Sequence, residues 1–285
     1  MTTLAPEGVR LAAVGLRKGT ARAATRSTAR VLAPFAVLAA VLGLWSFTSH
    51  VLLDADRRFL LPPPEDVVRK GFLQPDNLSE MLAGLWSTTQ VALVGLAISI
   101  VLGVVLAIVM NQARWVEYSI YPYAVALQTI PILAVVPLLG FWFGFDFSSR
   151  VTVCVLVSLF PLITNTLYGL KSVDAGQHDL FTLYGASRLQ RLFSLELPHA
   201  LPAIITGFKI ASGLAVIGAI VADFFFRQGD PGIGRLIDIY RQRLATEQLM
   251  TALLLSSLVG LLLFWSFDAL GRAVDRRRSA RRAAH

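Results

Sequence analysis

The chain alternates between long apolar stretches and short polar ones. Six of the apolar stretches are long enough to cross a bilayer, which takes about 20 helical residues. They lie near 31–53, 86–110, 119–143, 151–170, 200–226 and 250–270. The second and the fourth carry no charged residue at all. A helix that is apolar on every face for that distance is buried in lipid, because a soluble surface helix keeps a polar face. The pattern predicts an all-α integral membrane protein with six transmembrane helices.

Two of the predicted spans carry stripes of small residues. Gly95, Ser99, Gly103 and Ala107 recur at every fourth position of the second, and Ala203, Gly207, Ala211, Ala215 and Ala219 do so in the fifth. Such stripes let helix backbones approach closely, and packing inside the subunit is their expected use. The third span contains Pro122, Pro131 and Pro137, with Gln128 and Thr129 beside the middle one. Proline frees a carbonyl one turn back, which at membrane depth requires protein or a watery cavity to serve it. Gln128, Thr129 and Pro131 are therefore candidates for a translocation pathway, with a plain kink as the alternative. No internal repeat is evident, which argues against an inverted-repeat secondary transporter.

Composition and charge add an orientation. Hydrophobic residues make up 55% of the 285 and charged ones 15%, where a soluble domain has about 25%. The net charge is +8, and basic residues cluster at the chain ends: Arg10, Arg17, Lys18, Arg22, Arg26 and Arg30 before the first span, and Arg272, Arg276, Arg277, Arg278, Arg281 and Arg282 after the last. Such placement fits the anionic inner face of a membrane, so no nucleic-acid partner is expected. Residues 1–30 read as a basic disordered cytoplasmic tail, 31–270 as the transmembrane domain and 271–285 as a second basic cytoplasmic tail. With both termini cytoplasmic, Lys and Arg favour the inner side about two to one. The loops at 54–85, 144–150 and 227–249 then face out, and those at 111–118 and 171–199 face in.

Candidate chemistry is sparse. Cys154 is the one cysteine, and His50, His178, His199 and His285 lack ligand spacing, so no disulfide or metal is expected. No GxxxxGK[ST] loop occurs, so no cofactor is assigned to this chain and any ATP belongs to another subunit. No nucleophile–base set or pair of acids lies within the spans, and the chain is not read as an enzyme. Lys209, Asp223 and Asp268 are the strongly charged side chains placed within spans. Lys209 and Asp268 lie near inner ends and are expected to snorkel. Asp223, with no paired Lys or Arg in this reading, is expected either to cap a helix end or to line the outer pathway.

The inner loop is the most informative segment. Residues 179–202 read DLFTLYGASRLQRLFSLELPHALP, a pattern for a short helix, a turn at Gly185 and a second helix. Ser187 and Gln190 have capping-box spacing, which starts the second helix at Arg188. Leu180, Phe181 and Tyr184 give the first helix a bulky apolar face, and Leu189, Leu192, Phe193 and Leu197 share a face on the second. Amphipathic helices in a cytoplasmic loop need a surface to pack against.

This segment resembles the EAA loop of ABC importer permeases. Asp179-Leu180-Phe181, Gly185, then Leu195, Leu197 and Pro198 follow its spacing, with Asp179 in place of the usual Glu and Leu180 and Phe181 in place of two alanines. Over residues 55–270 the chain further resembles the nitrate/sulfonate/taurine-type branch. The matching residues are Leu61-Pro62-Pro63-Pro64, Gln128-Thr129-Ile130-Pro131, Pro137-Leu138, Trp142-Phe143-Gly144, Asn165-Thr166, Gly169-Leu170 and Gly232-Ile233-Gly234. The resemblance implies a type I ABC importer permease fold with an EAA coupling loop at 176–199. Asp179, Leu180, Phe181, Tyr184, Gly185, Leu195, Leu197 and Pro198 would dock an ABC ATPase that holds ATP and Mg. Gln128, Thr129, Pro131, Asn165 and Asp223 would contribute to the pathway. The implied partners are ATPase subunits, an extracytoplasmic substrate-binding protein and a second permease copy in a homodimer, within the lipid of a bacterial inner (plasma) membrane. The implied cargo is nitrate-, sulfonate- or taurine-like, with a thiamine-precursor pyrimidine or a riboflavin-like solute as the alternative. A secondary transporter is the alternative outside the family.

Overall fold

The computed structural model describes residues 32–226 and 231–283, and among these every regular element is helical. The expected tail at 1–30 lies outside the described residues. The chain divides into two compact units, Met1–Asp66 and Val67–His285. The first holds α1, Leu32–Leu52, which ends in a π-helical turn over Thr48–Leu52. Trp45 Nε1 donates to the Pro62 carbonyl at 2.9 Å and Ser49 Oγ to the Leu61 carbonyl at 2.8 Å. The proline-rich segment is thus held by its carbonyls, the hydrogen-bonding groups that prolines retain.

The second unit contains α2 (Pro75–Gln112), α3 (Arg114–Thr129), α4 (Ile132–Phe143) and α5 (Phe147–Lys171). It continues with α6 (Ala175–Leu183), α7 (Arg188–Phe225), α8 (Ile233–Gln242) and α9 (Thr246–Ala283). Among the described residues, α1, α2, α5, α7 and α9 are each long and apolar enough to cross a membrane, and α3 with α4 meets the same test only as a bent pair, a broken span or a re-entrant loop. With 38 residues each, α2 and α7 are about 57 Å long at ~1.5 Å per residue, against a hydrocarbon core of ~30 Å. Both must project beyond the lipid.

Helices α2 and α7 pack on α5 through their small-residue stripes. Val91, Ala92, Cys154, Ala211, Ala215 and Ala219 are fully buried there. A Cβ added to Gly95 would sit 2.3 Å from Cys154 Sγ, and one on Gly103 2.6 Å from Leu162 Cβ. Between them, Ser99 and Ser158 share a hydrogen bond of 2.8 Å. On α7, a Cβ at Gly207 would lie 3.3 Å from the Pro161 carbonyl oxygen. The stripes therefore serve packing inside the subunit, as their spacing suggests. Gly95→Val is expected to overpack this contact by about 1–3 kcal/mol and to lower the midpoint of thermal aggregation in detergent. A wild-type midpoint would contradict the close approach.

Three segments depart from the sequence reading. The third span is not one helix over 119–143, because α3 and α4 meet at a bend of 102°. Ile130 is extended (φ −68°, ψ 128°), as a residue before proline prefers, and Pro131 has no N–H with which to continue α3. Thr129 Oγ1 and the Ile130 N–H both donate to the Ala126 carbonyl, closing α3. The expected loop at 227–249 contains α8, whose Ile233, Leu236, Ile237 and Tyr240 are buried at helical spacing. The transmembrane domain expected to end at 270 instead runs on in the helix α9 to Ala283. The Arg- and Ala-rich composition there favours helix, and cations suit a helix C-terminus.

Candidate functional site

At one end of the bundle, α6 and the first turns of α7 form a helical hairpin. Gly185 has φ +67° and donates to the Thr182 carbonyl at 3.0 Å, while the Ala186 N–H reaches the Phe181 carbonyl at 3.0 Å. This is a Schellman closure of α6 around a left-handed residue, a position glycine occupies without steric cost. Two residues on, Ser187 and Gln190 form the capping box that opens α7. Arg191 Nη2 bonds Thr182 Oγ1 at 3.4 Å, joining the two arms.

The hairpin exposes apolar side chains. Leu183 is 85% exposed, Tyr184 83% and Leu180 50%, with Asp179 also exposed and Phe181 half-buried. Leu183 is an addition to the residues expected from sequence, and its position three residues after Leu180 on the same helix is the signal for it. On the second arm, Leu189 and Phe193 are exposed while Leu192 is buried, so the apolar face expected there is divided between the two. Leu195 and Leu197 are half-buried and Pro198 is exposed.

The second arm is continuous with a membrane-length helix, since α7 runs unbroken from Arg188 to Phe225. Ahead of Pro198 it widens into a π-turn over Leu192–Glu196, where the Leu197 N–H bonds the Leu192 carbonyl. Within that turn the buried Glu196 accepts a 2.7 Å hydrogen bond from Asn111 Nδ2 at the end of α2. The hairpin is thus tied to both α7 and the end of α2.

Midway along the bundle, the break between α3 and α4 opens a cleft of about 420 Å³. Gln128, Ile130 and Trp142 line it from the broken span, Phe160 and Pro161 from α5, and Leu214 from α7. Thr129 and Pro131 are exposed at the break itself. Asn165 is half-buried one turn beyond Pro161, and its Nδ2 donates to the Pro161 carbonyl at 2.8 Å.

At the opposite end Asp223 is buried, away from this cleft. Its Oδ1 pairs with Arg150 Nη1 at 3.2 Å, and its Oδ2 accepts from Thr88 Oγ1 at 2.5 Å and from the Gly234 N–H at 3.4 Å. Thr88 Oγ1 in turn accepts the Ile233 N–H at 2.8 Å. The carboxylate thus accepts from the first turn of α8, where an acid is electrostatically favoured. It does have a cationic partner, which corrects the unpaired reading. The sequence places Arg150 in a loop at 144–150, but it lies in the first turn of α5 and is only 5% exposed. The signal for it was the acid itself, since a charge buried in a span requires a partner at similar depth. Lys209 and Asp268, expected to snorkel, also pair with each other: Lys209 Nζ lies 2.5 Å from Asp268 Oδ1, and Arg272 pairs with the other oxygen.

On α8, the Tyr240 hydroxyl donates to Glu80 Oε2 at 3.4 Å. Burial, followed by the Glu80 charge, pushes the phenol up to about 12. Among the described residues, no group of three or more His, Cys, Asp or Glu side chains gathers to hold a metal.

Residues 99–280 match the family described as the binding-protein-dependent transport system inner membrane component. A formylaminopyrimidine transport permease of Halalkalibacterium halodurans is 38% identical over 183 residues, 64% of this chain and 70% of that protein. A putative aliphatic sulfonates transport permease of Escherichia coli is 32% identical over 229 residues, 80% of this chain and 85% of that protein. The crystal structure of an amino acid ABC transporter with histidines superposes with a TM-score of 0.56 at 17% identity, covering 72% of this chain and 97% of the other. That likeness concerns the fold.

Proposed function

Because this chain belongs to the family of binding-protein-dependent transport inner-membrane components, the permease subunits of ABC importers, we propose that it forms a solute pathway driven through the α6 hairpin by a partner ATPase. The observation that carries this reading is the exposed set Leu180, Leu183 and Tyr184 on a hairpin continuous with α7. Apolar groups at a polar loop mark a protein contact, and a rigid helix attached to that contact transmits its motion. ATP and Mg belong to the ATPase, an extracytoplasmic binding protein delivers the solute, and two copies of this chain enclose the path. Both termini are cytoplasmic, so reporter fusions at either end are expected to read inside; an outside signal from either would reverse every loop.

The branch implies a nitrate-, sulfonate- or taurine-like cargo, but the cleft favours the alternative. Its lining includes Gln128 and no Lys or Arg among the described residues. An anion entering such an apolar site would lose hydration without a compensating cation. A neutral planar heteroaromatic solute, of pyrimidine or flavin kind, needs only stacking on Trp142 and Phe160 and one amide. The test is uptake into proteoliposomes holding the permease, its ATPase and its binding protein. ATP-dependent uptake that disappears when the ATPase is inactivated is expected, and uptake by the permease alone would contradict the importer reading. A neutral pyrimidine should compete for uptake and an alkanesulfonate should not.

A further inference from the structure

Four helices converge on one buried ion pair at the α8 end. Arg150 comes from α5, Asp223 from α7, Thr88 and Ser87 from α2, and the Ile233 and Gly234 amides from the start of α8. Arg150 and Asp223 have side-chain exposures of 6% and 0%. The start of α8 rests directly on the carboxylate: a Cβ on Gly232 would fall 1.9 Å from Asp223 Oδ2, and one on Gly234 2.7 Å from Asp223 Cβ. The first turn of α8 is therefore registered against this side chain and the Ile220 carbonyl, while Ile233, Leu236 and Ile237 pack the rest of α8 on Met81, Ala252 and Leu255.

A dry ion pair is a poor choice if the joint only has to be stable. Well-packed apolar side chains of similar volume serve as well or better, because both charges lose their hydration on burial. An ion pair differs in its separated state. Opening an apolar joint exposes surface that water disfavours, whereas separated Arg and Asp side chains are hydrated. A polar joint can close dry and open wet, and an apolar one is biased shut.

We infer that Arg150 is a positioning residue of the transport cycle, holding α8 against α2, α5 and α7 through Asp223 and releasing it when the pair separates and hydrates. The inference rests on the importer reading above, in which the end of the bundle opposite the α6 hairpin must open once per cycle.

The test is the double variant Arg150→Met/Asp223→Leu, assembled with its ATPase and binding protein in proteoliposomes. It is expected to resist thermal aggregation better than Asp223→Ala alone, since no charge is left buried without its partner, yet to lose ATP-dependent uptake by roughly tenfold or more. A stable double variant that retains most of its uptake, as a purely structural pair predicts, overturns the inference. A second measurement stands even if that variant fails to assemble. In a Ser87→Cys complex, labelling by a membrane-impermeant maleimide should differ roughly tenfold between nucleotide-free and ATP–vanadate-trapped states. Equal rates in the two states overturn the inference. Absence of ATP-driven uptake in the unmodified complex would instead sink the importer reading.

Discussion

Leu183→Asp is expected to reduce ATP-dependent uptake by roughly a hundredfold or more, because a charge left unpaired at a partner interface costs about 3–5 kcal/mol. Membrane abundance should remain at the unmodified level. At 85% exposure within the chain, Leu183 contributes little to the stability of the permease alone, and an exposed substitution normally shifts stability by no more than about 0.5 kcal/mol. ATPase co-purification should fall in parallel with uptake. Gly185 gives an independent check through the backbone. Its side-chain space is open, so bulk is not the obstacle, but its φ of +67° is. Gly185→Val should weaken coupling, since a β-branched residue resists the left-handed region, while Gly185→Asn, which tolerates it, should retain most of the uptake. Normal uptake at normal abundance in both Leu183→Asp and Gly185→Val would remove the hairpin from the coupling mechanism.

Asp223→Ala is expected to be the most damaging single change to the permease itself, at about 3–5 kcal/mol. It deprives the buried Arg150 guanidinium of its carboxylate and removes the acceptor of the Gly234 amide. The measurable results are a lower membrane abundance and a lower temperature of aggregation. Because Arg150 and Asp223 contact each other, the cost of Asp223→Ala should shrink when Arg150→Met is added. Strict additivity of the two changes would mean that the pair does not interact, and would also undercut the role assigned to Arg150.

The residues of the hairpin were readable because their physics is local. Ser187 and Gln190 cap a helix three residues apart, Gly185 ends one, and Leu180, Phe181 and Tyr184 share a face by helical spacing alone. The same holds for the spans, where an apolar run of sufficient length leaves helix as the workable backbone in lipid. Even α8 was present as the spacing of Ile233, Leu236, Ile237 and Tyr240, although the polar residues between them made the segment look like a loop. Leu183 was available on the same terms.

By itself, then, the sequence determined where the long apolar spans lie and which loop carries an apolar face of its own, since periodicity, length and capping act within a few neighbouring residues. Tertiary structure decided which distant groups meet. Pro131 announced an interruption but not a bend of 102°, because the angle depends on how α3 and α4 each pack against the bundle. Asp223 announced a need for a partner but not its identity. Arg150 stands 73 residues away, Thr88 is 135 away on a third helix, and Lys209 finds Asp268 across 59 residues. No local rule relates side chains at such separations: their pairing follows from the depth at which helices of different length and crossing geometry bring them together.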